Sequence, residues 1–489
     1  MTLAELLADA EPVSPLPPSA ASLAVAGLEY DSRRVAPGFV FFAFRGARTD
    51  GRQFAAAAVE RGAVAVISEQ EAPAALPVPW ILVNHGRRTL ALAARRFYPR
   101  TEEVTLIGIT GTNGKTTTSF LIDSVLRASG LTTALIGTIE YRLAGETRPA
   151  VNTTPESLDL RRLLGELQDR HGTHATMEVS SHALALGRCW GFRFHTAAFT
   201  NLTQDHLDFH GTMEAYFAAK AELFAGQGAP APRHAVLNFD DDWCRRVRVR
   251  PGTQAWWYGL AVSASVRATG IEESFRGLRF LVEHPKGQLH IESPLVGRVN
   301  VYNILAACAT GLSLGLTTEA IEEGIRACRA VPGRFERVDA GQPFLVLVDY
   351  AHTPDALRNV ILAARALRPK RVLTLFGCGG DRDRAKRPLM GAAAAELSDY
   401  VVLTSDNPRS EDPLAILADA LVGLRQHATP HHAEPDRRAA IRHILSCAEE
   451  GDIVILAGKG HETYQVLKDE TVPFDDREVA RAILEEQRW

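Results

Sequence analysis

A glycine-rich loop between an apolar segment and a helical segment limits the possible folds of this chain more than any other feature. Residues 104–109 form an apolar run that predicts a buried strand, and residues 116–128 carry a helical pattern. Between them stands Gly111-Thr112-Asn113-Gly114-Lys115-Thr116-Thr117. In such a loop the backbone N–H groups and the helix dipole face an anion, the lysine reaches the β- and γ-phosphates, and the following threonine binds Mg²⁺. Ile109 replaces the first glycine of the usual pattern, but the context still predicts a nucleoside triphosphate site.

Length and composition indicate several domains and a soluble, weakly charged protein. With 489 residues the chain is too long for one ordinary core, and about three domains are expected. A formal net charge of −4 disfavours a nucleic-acid partner. Six cysteines occur without a C-x-x-C pair, which argues against a zinc site and against disulfides. Neither a signal peptide nor an apolar run near the ~20 residues of a membrane span is present, so we expect a cytoplasmic protein.

Alternating strand and helix patterns predict an α/β protein with three domains. We expect a small α/β domain at residues 1–99, a central P-loop domain with a parallel sheet at 100–335, and a Rossmann-like domain at 336–489. Residues 265–294 differ, because short alternating runs separated by glycines predict an antiparallel insertion. The last domain contains no G-x-G-x-x-G, so no nicotinamide cofactor is predicted.

Two polar segments follow predicted strands of the central domain. Glu178 ends a strand predicted at 175–179, where a carboxylate can reach the metal ion of a P-loop site. A solvated charge at a strand end explains Glu178 equally well, and both interpretations stay open. Residues 200–211, which include His206, contain more hydrogen-bonding side chains than a simple turn requires, and this density favours a site.

Lys220 occupies an unusual position in a helix predicted at residues 212–224. It lies three or four residues from several apolar side chains, so it falls on the apolar face of the helix. A lysine that extends its ammonium group to solvent is the simple explanation. Burial would instead lower its pKa and leave a neutral amine. Such an amine can react with CO2, and the resulting carbamate is an anion able to bind a metal ion.

Four polar segments follow the four strands predicted in the last domain. They are Asp349–Pro354, the glycine-rich and charged segment 377–387, Asp406–Arg409 and Gly458–Glu462. The carboxyl ends of strands in a doubly wound sheet share one crevice, so these segments are expected to converge. Arginines there favour bidentate binding of a carboxylate, and the second substrate is expected to be a small acid.

These motifs, in this order over nearly the whole chain, resemble the Mur ligase family. Besides the segments above, the resemblance rests on Asp31-Ser32-Arg33, Asp50-Gly51, Asn152-Thr153-Thr154-Pro155, Met177–His182, Asn300, Asn303 and Gly333-Arg334-Phe335-Glu336. No single motif is specific, but their order and spacing are. One departure is Ala47, which stands where some members carry a histidine.

The resemblance implies an ATP-dependent amide ligase of peptidoglycan precursor synthesis with three domains. It is strongest to members that add the third residue of the peptide stem. In these enzymes ATP phosphorylates the free D-glutamate carboxylate of UDP-N-acetylmuramoyl-L-alanyl-D-glutamate, and the amine of the incoming amino acid then displaces phosphate. Asp406-Asn407-Pro408-Arg409 is the form associated with meso-diaminopimelate, whose second carboxylate Arg409 and Arg382 could bind.

The resemblance also assigns roles to individual residues. ATP would be bound by Gly111, Thr112, Asn113, Gly114, Lys115, Thr116, Thr117, Asn303, Arg334 and Asp349. Mg²⁺ would be held by Thr116, Glu178, His206 and a CO2-derived carbamate on Lys220, and Lys115, Lys220 and His206 would be catalytic. The UDP-muramoyl-peptide would contact Ser32, Thr153, Thr154, Ser180 and Arg188. The amino acid would contact Arg382, Asp406, Asn407, Arg409, Gly458 and Glu462.

The sequence leaves several alternatives open. The same ligase could take L-lysine as acceptor, or the chain could resemble ligases that extend folate with glutamate. A nucleotide-driven switch or motor would have no use for the polar segments of the last domain, and a catalytically inactive binding module would not need Lys115, Thr116, Glu178, His206 and Lys220 intact. We expect a monomer whose partners are small molecules only.

Overall fold

The computed structural model describes residues 1–46 and 49–487, and Ala47 lies outside this part of the chain. The chain divides into two compact units. Unit 1 contains Met1–Arg267 and Ala306–Gly324, and unit 2 contains Ala268–Leu305 and Ile325–Trp489. None of the described helices combines the length and apolar character that crossing a bilayer requires. None of the six cysteines, all of which lie in the described part of the chain, forms a disulfide, and five of them are buried.

A small parallel sheet forms the N-terminal part of unit 1, in the order β1-β2-β3-β4. Its strands are β1 (Gly27–Glu29), β2 (Phe39–Phe42), β3 (Ala63–Ser68) and β4 (Trp80–Leu82), and its helices are α1 (Leu3–Leu6), α2 (Pro18–Ala21), α3 (Ala55–Glu60) and α4 (Gly86–Phe97). Apolar side chains of β2, β3 and α4 form its core. Four short 3-10 helices also lie in unit 1, at Ser32–Arg34, Gly51–Phe54, Pro99–Glu103 and Cys244–Arg246.

The larger sheet of unit 1 carries the glycine-rich loop. Its elements are β5 (Thr105–Thr110), α5 (Lys115–Ala128), β6 (Thr133–Ile136), β7 (Glu140–Leu143), β8 (Glu146–Pro149), α6 (Ser157–Asp169), β9 (His174–Glu178), α7 (Ser181–Ala185), β10 (Phe194–Phe199), α8 (Leu207–His210), α9 (Met213–Ala225), β11 (His234–Asn238) and β12 (Gln254–Gly259). The strand order is β12-β11-β10-β5-β9-β6-β7-β8. Strands β12 to β6 are parallel, which confirms the predicted parallel sheet, and β7 and β8 add an antiparallel edge.

This order determines what surrounds the loop. Because β9 and β10 flank β5, the segments that follow these three strands emerge side by side at the carboxyl edge of the sheet. Lys115, Glu178 and His206 all belong to elements or segments at that edge.

Between the two large sheets the chain forms an antiparallel insertion and two helices. They are β13 (Val266–Ser274), β14 (Gly277–His284), β15 (Gly287–Ser293), α10 (Arg298–Ser313) and α11 (Thr318–Ala327), and the boundary between the units falls within β13, α10 and α11. Strands β14 and β15 pair antiparallel from Leu278↔Ser293 to His284↔Gly287. The prediction for residues 265–294 is therefore confirmed.

A mostly parallel sheet with helices on both faces forms the rest of unit 2. Its elements are β16 (Glu336–Val338), β17 (Leu345–Asp349), α12 (Pro354–Ala366), β18 (Val372–Cys378), α13 (Lys386–Leu397), β19 (Tyr400–Ser405), α14 (Pro413–Leu424), β20 (His431–Ala433), α15 (Arg437–Ser446), β21 (Ile453–Ala457), β22 (Tyr464–Val466), β23 (Thr471–Pro473) and α16 (Asp476–Gln487). The order is β16-β17-β21-β18-β19-β20, with only β16 antiparallel. One face packs on α12, α13 and α14, and the other on α15 and α16. The predicted Rossmann-like fold is confirmed.

Candidate active site

The glycine-rich loop has a backbone that only glycine tolerates at its first position. Gly111 has φ +142°, and a Cβ there would lie 1.9 Å from Thr200 Oγ1. Gly114, at φ +84°, precedes the first turn of α5. Asn201 supports the loop from the neighbouring segment, since its Oδ1 accepts a hydrogen bond of 3.0 Å from Asn113 N. The loop is thus held open at the N-terminus of α5, as phosphate binding requires.

Two lysines converge on the carbonyl oxygen of Gly111. Lys115 Nζ donates to Gly111 O at 3.0 Å and to Thr112 O at 2.8 Å. Lys220 Nζ donates to the same Gly111 oxygen at 2.7 Å and lies 4.6 Å from the ring centre of Tyr216. Lys220 is only 1% exposed, which confirms its predicted place on the buried face of α9. Burial, reinforced by the nearby Lys115, lowers the pKa of Lys220 well below its usual value.

Glu178 is the buried acid next to the loop. It is 0% exposed, and its Oε2 accepts hydrogen bonds of 3.0 Å from the hydroxyls of Thr116 and Thr138. Its Oε1 accepts from Thr138 N at 2.9 Å. These contacts exclude the alternative of a solvated charge at a strand end. Gly137 makes room for this carboxylate, because a Cβ there would lie 2.5 Å from Oε1.

His206 occupies a strained and half-exposed position. Its φ is +52°, and it immediately precedes α8. Its ring packs edge-on against His182, with 4.8 Å between ring centres, and Nε2 lies 3.5 Å from Asp205 Oδ2. Partial burial lowers the pKa of His206, which favours the neutral form that ligates metals.

The donor set near the loop suits a hard cation. Thr116 and Glu178 supply oxygen atoms, and the neutral form of His206 supplies a nitrogen. Among residues 1–46 and 49–487, no three His, Cys, Asp or Glu side chains form a complete metal cluster. A metal here would therefore also need ligands of other kinds, such as a threonine hydroxyl, a modified lysine or the phosphates of a nucleotide.

Thr153, Thr154, Ser180 and Arg188 lie together beside Glu178. Thr154 is buried, and its hydroxyl donates to Glu178 O at 2.9 Å and accepts from Ser180 N at 3.0 Å. Arg188 donates to Thr154 O at 3.0 Å and pairs with Glu156 at 3.0 Å. Thr153 shares a hydrogen bond with Thr138. Thr154 therefore stabilises the segment through hydrogen bonds inside the protein, whereas the side chains of Thr153 and Ser180 are partly accessible to solvent.

Ser32 stands apart from these residues, in the N-terminal part of unit 1. It begins the 3-10 helix Ser32–Arg34, which Asp31 caps through a 3.0 Å hydrogen bond from Arg33 N. Ion pairs tie this region to α6, since Arg34 and Arg162 both contact the buried Glu29.

In unit 2, Arg334 and Asp349 flank a tight turn. Asp349 accepts hydrogen bonds from Phe335 N at 2.7 Å and Ala351 N at 2.9 Å, and Phe335 has φ +49°. Burial raises the pKa of Asp349, whereas Arg334 acts in the opposite direction. The Arg334 guanidinium lies 5.0 Å from the ring centre of Tyr350. Asn303 is buried in α10 and donates to Asn300 at 2.9 Å.

Two arginines of unit 2 lie close to Gly379. A Cβ on Gly379 would be 3.1 Å from Arg409 Nη1 and 3.7 Å from Arg382 Cγ. Arg409, at φ +53°, also donates from Nη1 to Gly380 O at 2.7 Å. Neither arginine forms an ion pair with any described residue, unlike Arg384 and Arg387, which pair with Asp419. Guanidinium groups without carboxylate partners among the described residues are able to bind an anion.

A second cluster forms where β19 and β21 end. Asn407 Nδ2 donates to Glu462 Oε2 at 2.9 Å, and a Cβ on Gly458 would lie 3.2 Å from Asp406 Oδ2. Lys459 Nζ lies 3.6 Å from Asp406 Oδ1 and 3.4 Å from Glu462 Oε2. The predicted convergence of these segments is confirmed.

Backbone strain occurs within several of the polar segments described above. Seven described non-glycine residues have positive φ, and four of them are His206, Phe335, Asp381 and Arg409. Positive φ at such residues is uncommon and often marks functional positions.

Sequence patterns did not identify Gly137, Thr138 and Lys459. Gly137 and Thr138 follow β6, and they reach Glu178 only because β6 pairs with β9. The Gly-Lys-Gly sequence at residues 458–460 was the one available signal for Lys459.

Comparisons with known proteins agree with this architecture. Three family models match the chain: "Mur ligase family, catalytic domain" over residues 24–98, "Mur ligase middle domain" over 109–311, and "Mur ligase, glutamate ligase domain" over 333–460. The UDP-N-acetylmuramoyl-L-alanyl-D-glutamate--2,6-diaminopimelate ligase of Solibacter usitatus is 64% identical over 485 residues, covering 99% of this chain and 98% of that protein. The Geobacillus thermodenitrificans protein of the same name is 47% identical over 95% of this chain and 96% of its own length. A solved structure of a ligase of this name has a TM-score of 0.72 at 34% identity and covers 97% of this chain and 98% of its own.

Proposed function

The chain belongs to the Mur ligase family and is an ATP-dependent ligase, and from this premise we propose that it joins meso-diaminopimelate to UDP-N-acetylmuramoyl-L-alanyl-D-glutamate. The reaction would serve peptidoglycan precursor synthesis in the cytoplasm. The two relatives named above carry UDP-N-acetylmuramoyl-L-alanyl-D-glutamate and 2,6-diaminopimelate in their names, and the first of them is 64% identical. We further propose a monomer with small-molecule partners, and we retain 1–99, 100–335 and 336–489 as the domain boundaries.

The reaction begins with a carboxylate that is a poor electrophile. The D-glutamate carboxylate attacks the γ-phosphorus of ATP, the bond to ADP breaks, and an acyl phosphate forms. The neutral amine of meso-diaminopimelate then attacks the acyl carbon, an amide bond forms, the nitrogen loses one proton, and phosphate leaves with the electrons of the C–O bond. Lys115, beside the phosphate loop, would neutralise negative charge that develops on the transferred phosphoryl group. Gly111 to Thr117 would hold the phosphates, and Asn303, Arg334 and Asp349 remain proposed nucleotide contacts.

Mg²⁺ would be held by Thr116, Glu178 and His206, and when bound it neutralises charge on the phosphate oxygens. The fit rests on the buried Glu178, whose Oε2 lies 3.0 Å from the Thr116 hydroxyl. A buried carboxylate beside bound phosphates is otherwise unfavourable, because both are anionic.

Lys220 is proposed to carry a carbamate. Its neutral amine would attack the carbon of CO2, an N–C bond would form, and one proton would leave the nitrogen. Burial favours this chemistry because it favours the neutral amine. The product would be an anion able to bind the metal, in place of a buried neutral amine.

Ser32, Thr153, Thr154, Ser180 and Arg188 are proposed to bind the UDP-muramoyl-peptide. Thr153 and Ser180 are partly exposed and suited to direct contact. The side chain of Thr154 is hydrogen-bonded within the protein, so its contribution would be to hold Ser180 in place.

The choice of meso-diaminopimelate rests above all on Arg409 and Arg382. Both lie beside Gly379 without a carboxylate partner in the described chain, and meso-diaminopimelate has a second carboxylate that lysine lacks. The other amino-acid end of the substrate would be held by Asp406, Asn407, Gly458 and Glu462. A folate-extending ligase would have no need for these arginines or for the N-terminal sheet.

The test is phosphate release by the purified protein with ATP, Mg²⁺ and UDP-muramoyl-dipeptide, with meso-diaminopimelate or L-lysine added in parallel. We expect release only with meso-diaminopimelate. Release with lysine alone would retain the family and contradict the acceptor. Release with neither amine, but with a folate and glutamate, would contradict the whole proposal.

A further inference from the structure

We propose that Lys459 is a positioning residue that orients and charge-balances the binding site for the acceptor amino acid. This inference rests on the proposed function, because it concerns the site assigned to meso-diaminopimelate. Lys459 itself would not touch the reacting atoms. Its ammonium group would act through Asp406, Asn407 and Glu462.

The ammonium group of Lys459 lies entirely within the cluster. The residue is 0% exposed, and Nζ lies 3.2 Å from Asn407 Oδ1, 3.4 Å from Glu462 Oε2 and 3.6 Å from Asp406 Oδ1. The ring centre of Tyr464 lies 5.9 Å away. A buried ammonium whose polar partners all belong to one binding site is unusual, since a buried charge is unfavourable unless something requires it.

Lys459 helps to fix the orientation of the Asn407 amide. Asn407 Oδ1 accepts from Lys459 Nζ at 3.2 Å and from Val466 N at 2.9 Å. Because both partners are donors, the oxygen must face them, and the NH2 group must face Glu462. Loss of Lys459 would leave Val466 N alone to hold the oxygen, and the amide could rotate more easily.

Lys459 also sets the charge of the site. Asp406 and Glu462 bring two negative charges, and Lys459 compensates one of them. The other buried cation nearby, Arg437, is already paired with Asp476. One uncompensated negative charge remains, which matches one ammonium group of an amino acid. Asp406 Oδ1 is buried without a hydrogen-bond partner in the described chain, so an acceptor atom is available for that group.

The test compares Lys459→Met, Lys459→Gln and Lys459→Arg by steady-state kinetics. Lys459→Met should raise KM for meso-diaminopimelate about tenfold to hundredfold, the usual effect of losing charge-assisted hydrogen bonds. KM for ATP should change less than about twofold, because the side-chain partners of Lys459, which are Asp406, Asn407 and Glu462, are not among the proposed ATP-binding residues. Lys459→Gln keeps a donor for Asn407 without the charge and should give an intermediate KM. Lys459→Arg keeps the charge and should lie closest to wild type.

Arg371→Met is the matched control. Arg371 pairs with the buried Asp452 at 2.6 Å, just before β18 and therefore at the opposite edge of the same sheet. Its loss should lower the melting temperature without changing KM for meso-diaminopimelate. A defect that follows stability alone would appear in this variant as well.

Three results would overturn the proposal. The first is a Lys459→Met KM for meso-diaminopimelate within twofold of wild type. The second is a parallel rise of both Michaelis constants. The third is failure of all three Lys459 variants to fold while Arg371→Met folds, because Lys459 would then be a structural residue. The dependence of wild-type turnover on meso-diaminopimelate, measured first, tests the proposed function separately.

Discussion

Substitution of Gly137 by alanine would displace the Glu178 carboxylate by a distance that the structure defines. The new Cβ would lie 2.5 Å from Glu178 Oε1 and 3.3 Å from Cδ, whereas ordinary contact begins at 3.4 Å. The carboxylate must therefore move by about 0.9 Å, and Glu178 is 0% exposed, so no solvent space is available to absorb the shift. The 3.0 Å contact with the Thr116 hydroxyl would be lost or lengthened.

Both activity and stability should change by amounts that this displacement sets. A misplacement of about 1 Å in a catalytic arrangement lowers kcat about 100-fold, which corresponds to about 2.7 kcal/mol in the barrier. Overpacking should lower the free energy of unfolding by about 1–3 kcal/mol. The concentration of Mg²⁺ needed for half-maximal rate should rise, because the shifted carboxylate is a proposed ligand.

Gly165→Ala is the matched control in the same unit. Gly165 lies within α6, and a Cβ there would be 3.9 Å from its two nearest neighbours, Thr101 and Tyr98. This variant should be as active as wild type and more stable by about 0.5–1 kcal/mol. The two variants are compared by phosphate release at a range of Mg²⁺ concentrations and by urea unfolding. If Gly137→Ala kept kcat within threefold of wild type, Glu178 would not occupy the position that we assign to it.

Three other substitutions have defined outcomes. Lys220→Met should abolish turnover. In CO2-free buffer that contains EDTA it should nevertheless raise the free energy of unfolding by about 1–4 kcal/mol, because it removes a buried amine while Gly111 O still accepts a hydrogen bond from Lys115. The lysine keeps its proton up to about pH 10.4 in the unfolded chain but not in the folded protein, so the free energy of unfolding of the wild type falls as pH falls from about 10 towards the lowered pKa of the folded state. Urea unfolding at several pH values should therefore show that the stability difference between Lys220→Met and wild type increases as pH falls. Arg409→Ala should raise KM for meso-diaminopimelate about tenfold to hundredfold and leave KM for ATP unchanged, and equal effects on both would remove Arg409 from the acceptor site. Arg437→Met leaves Asp476 buried without its partner and should lower stability by about 3–5 kcal/mol, most of which the double variant Arg437→Met/Asp476→Leu should recover in the same unfolding assay.

Local patterns were sufficient for the features that depend on neighbouring residues in the sequence. The strand, loop and helix around Lys115 follow from apolar periodicity and glycine placement, and the structure has them at Thr105–Thr110 and Lys115–Ala128. The place of Lys220 on the apolar face of α9 follows from helical spacing alone, and the structure shows that the residue is buried there. The same applies to the four polar segments of unit 2, because each directly follows an apolar run.

Features that depend on distant pairing were not predictable in this way. Helix α6 was missed although it buries Leu158, Leu160, Leu164 and Leu167. Arg161 lies on the same buried face, where its guanidinium lies 4.1 Å from the Phe192 ring centre and donates a hydrogen bond to Thr101. A charged residue at a buried position interrupts the apolar pattern by which an amphipathic helix is recognised in a sequence. The hairpin of β7 and β8 was not predicted, because β8 lies at a sheet edge that faces solvent and carries polar side chains. Gly137 and Lys459 depend on strand order, which no local pattern contains.

The strand order of unit 2 has a consequence for how the polypeptide folds during synthesis. Strand β21 lies between β17 and β18, yet it follows both of them, and β19, in the chain. Until the ribosome has made residues 453–457, β17 and β18 have no common partner, and each exposes an unpaired edge on which other chains could add. Unit 2 therefore cannot assemble strand by strand as it emerges. Its sheet is completed late, when β21 inserts and forms contacts between residues that are far apart in the sequence. We therefore expect unit 2 to fold slowly and to depend on chaperones.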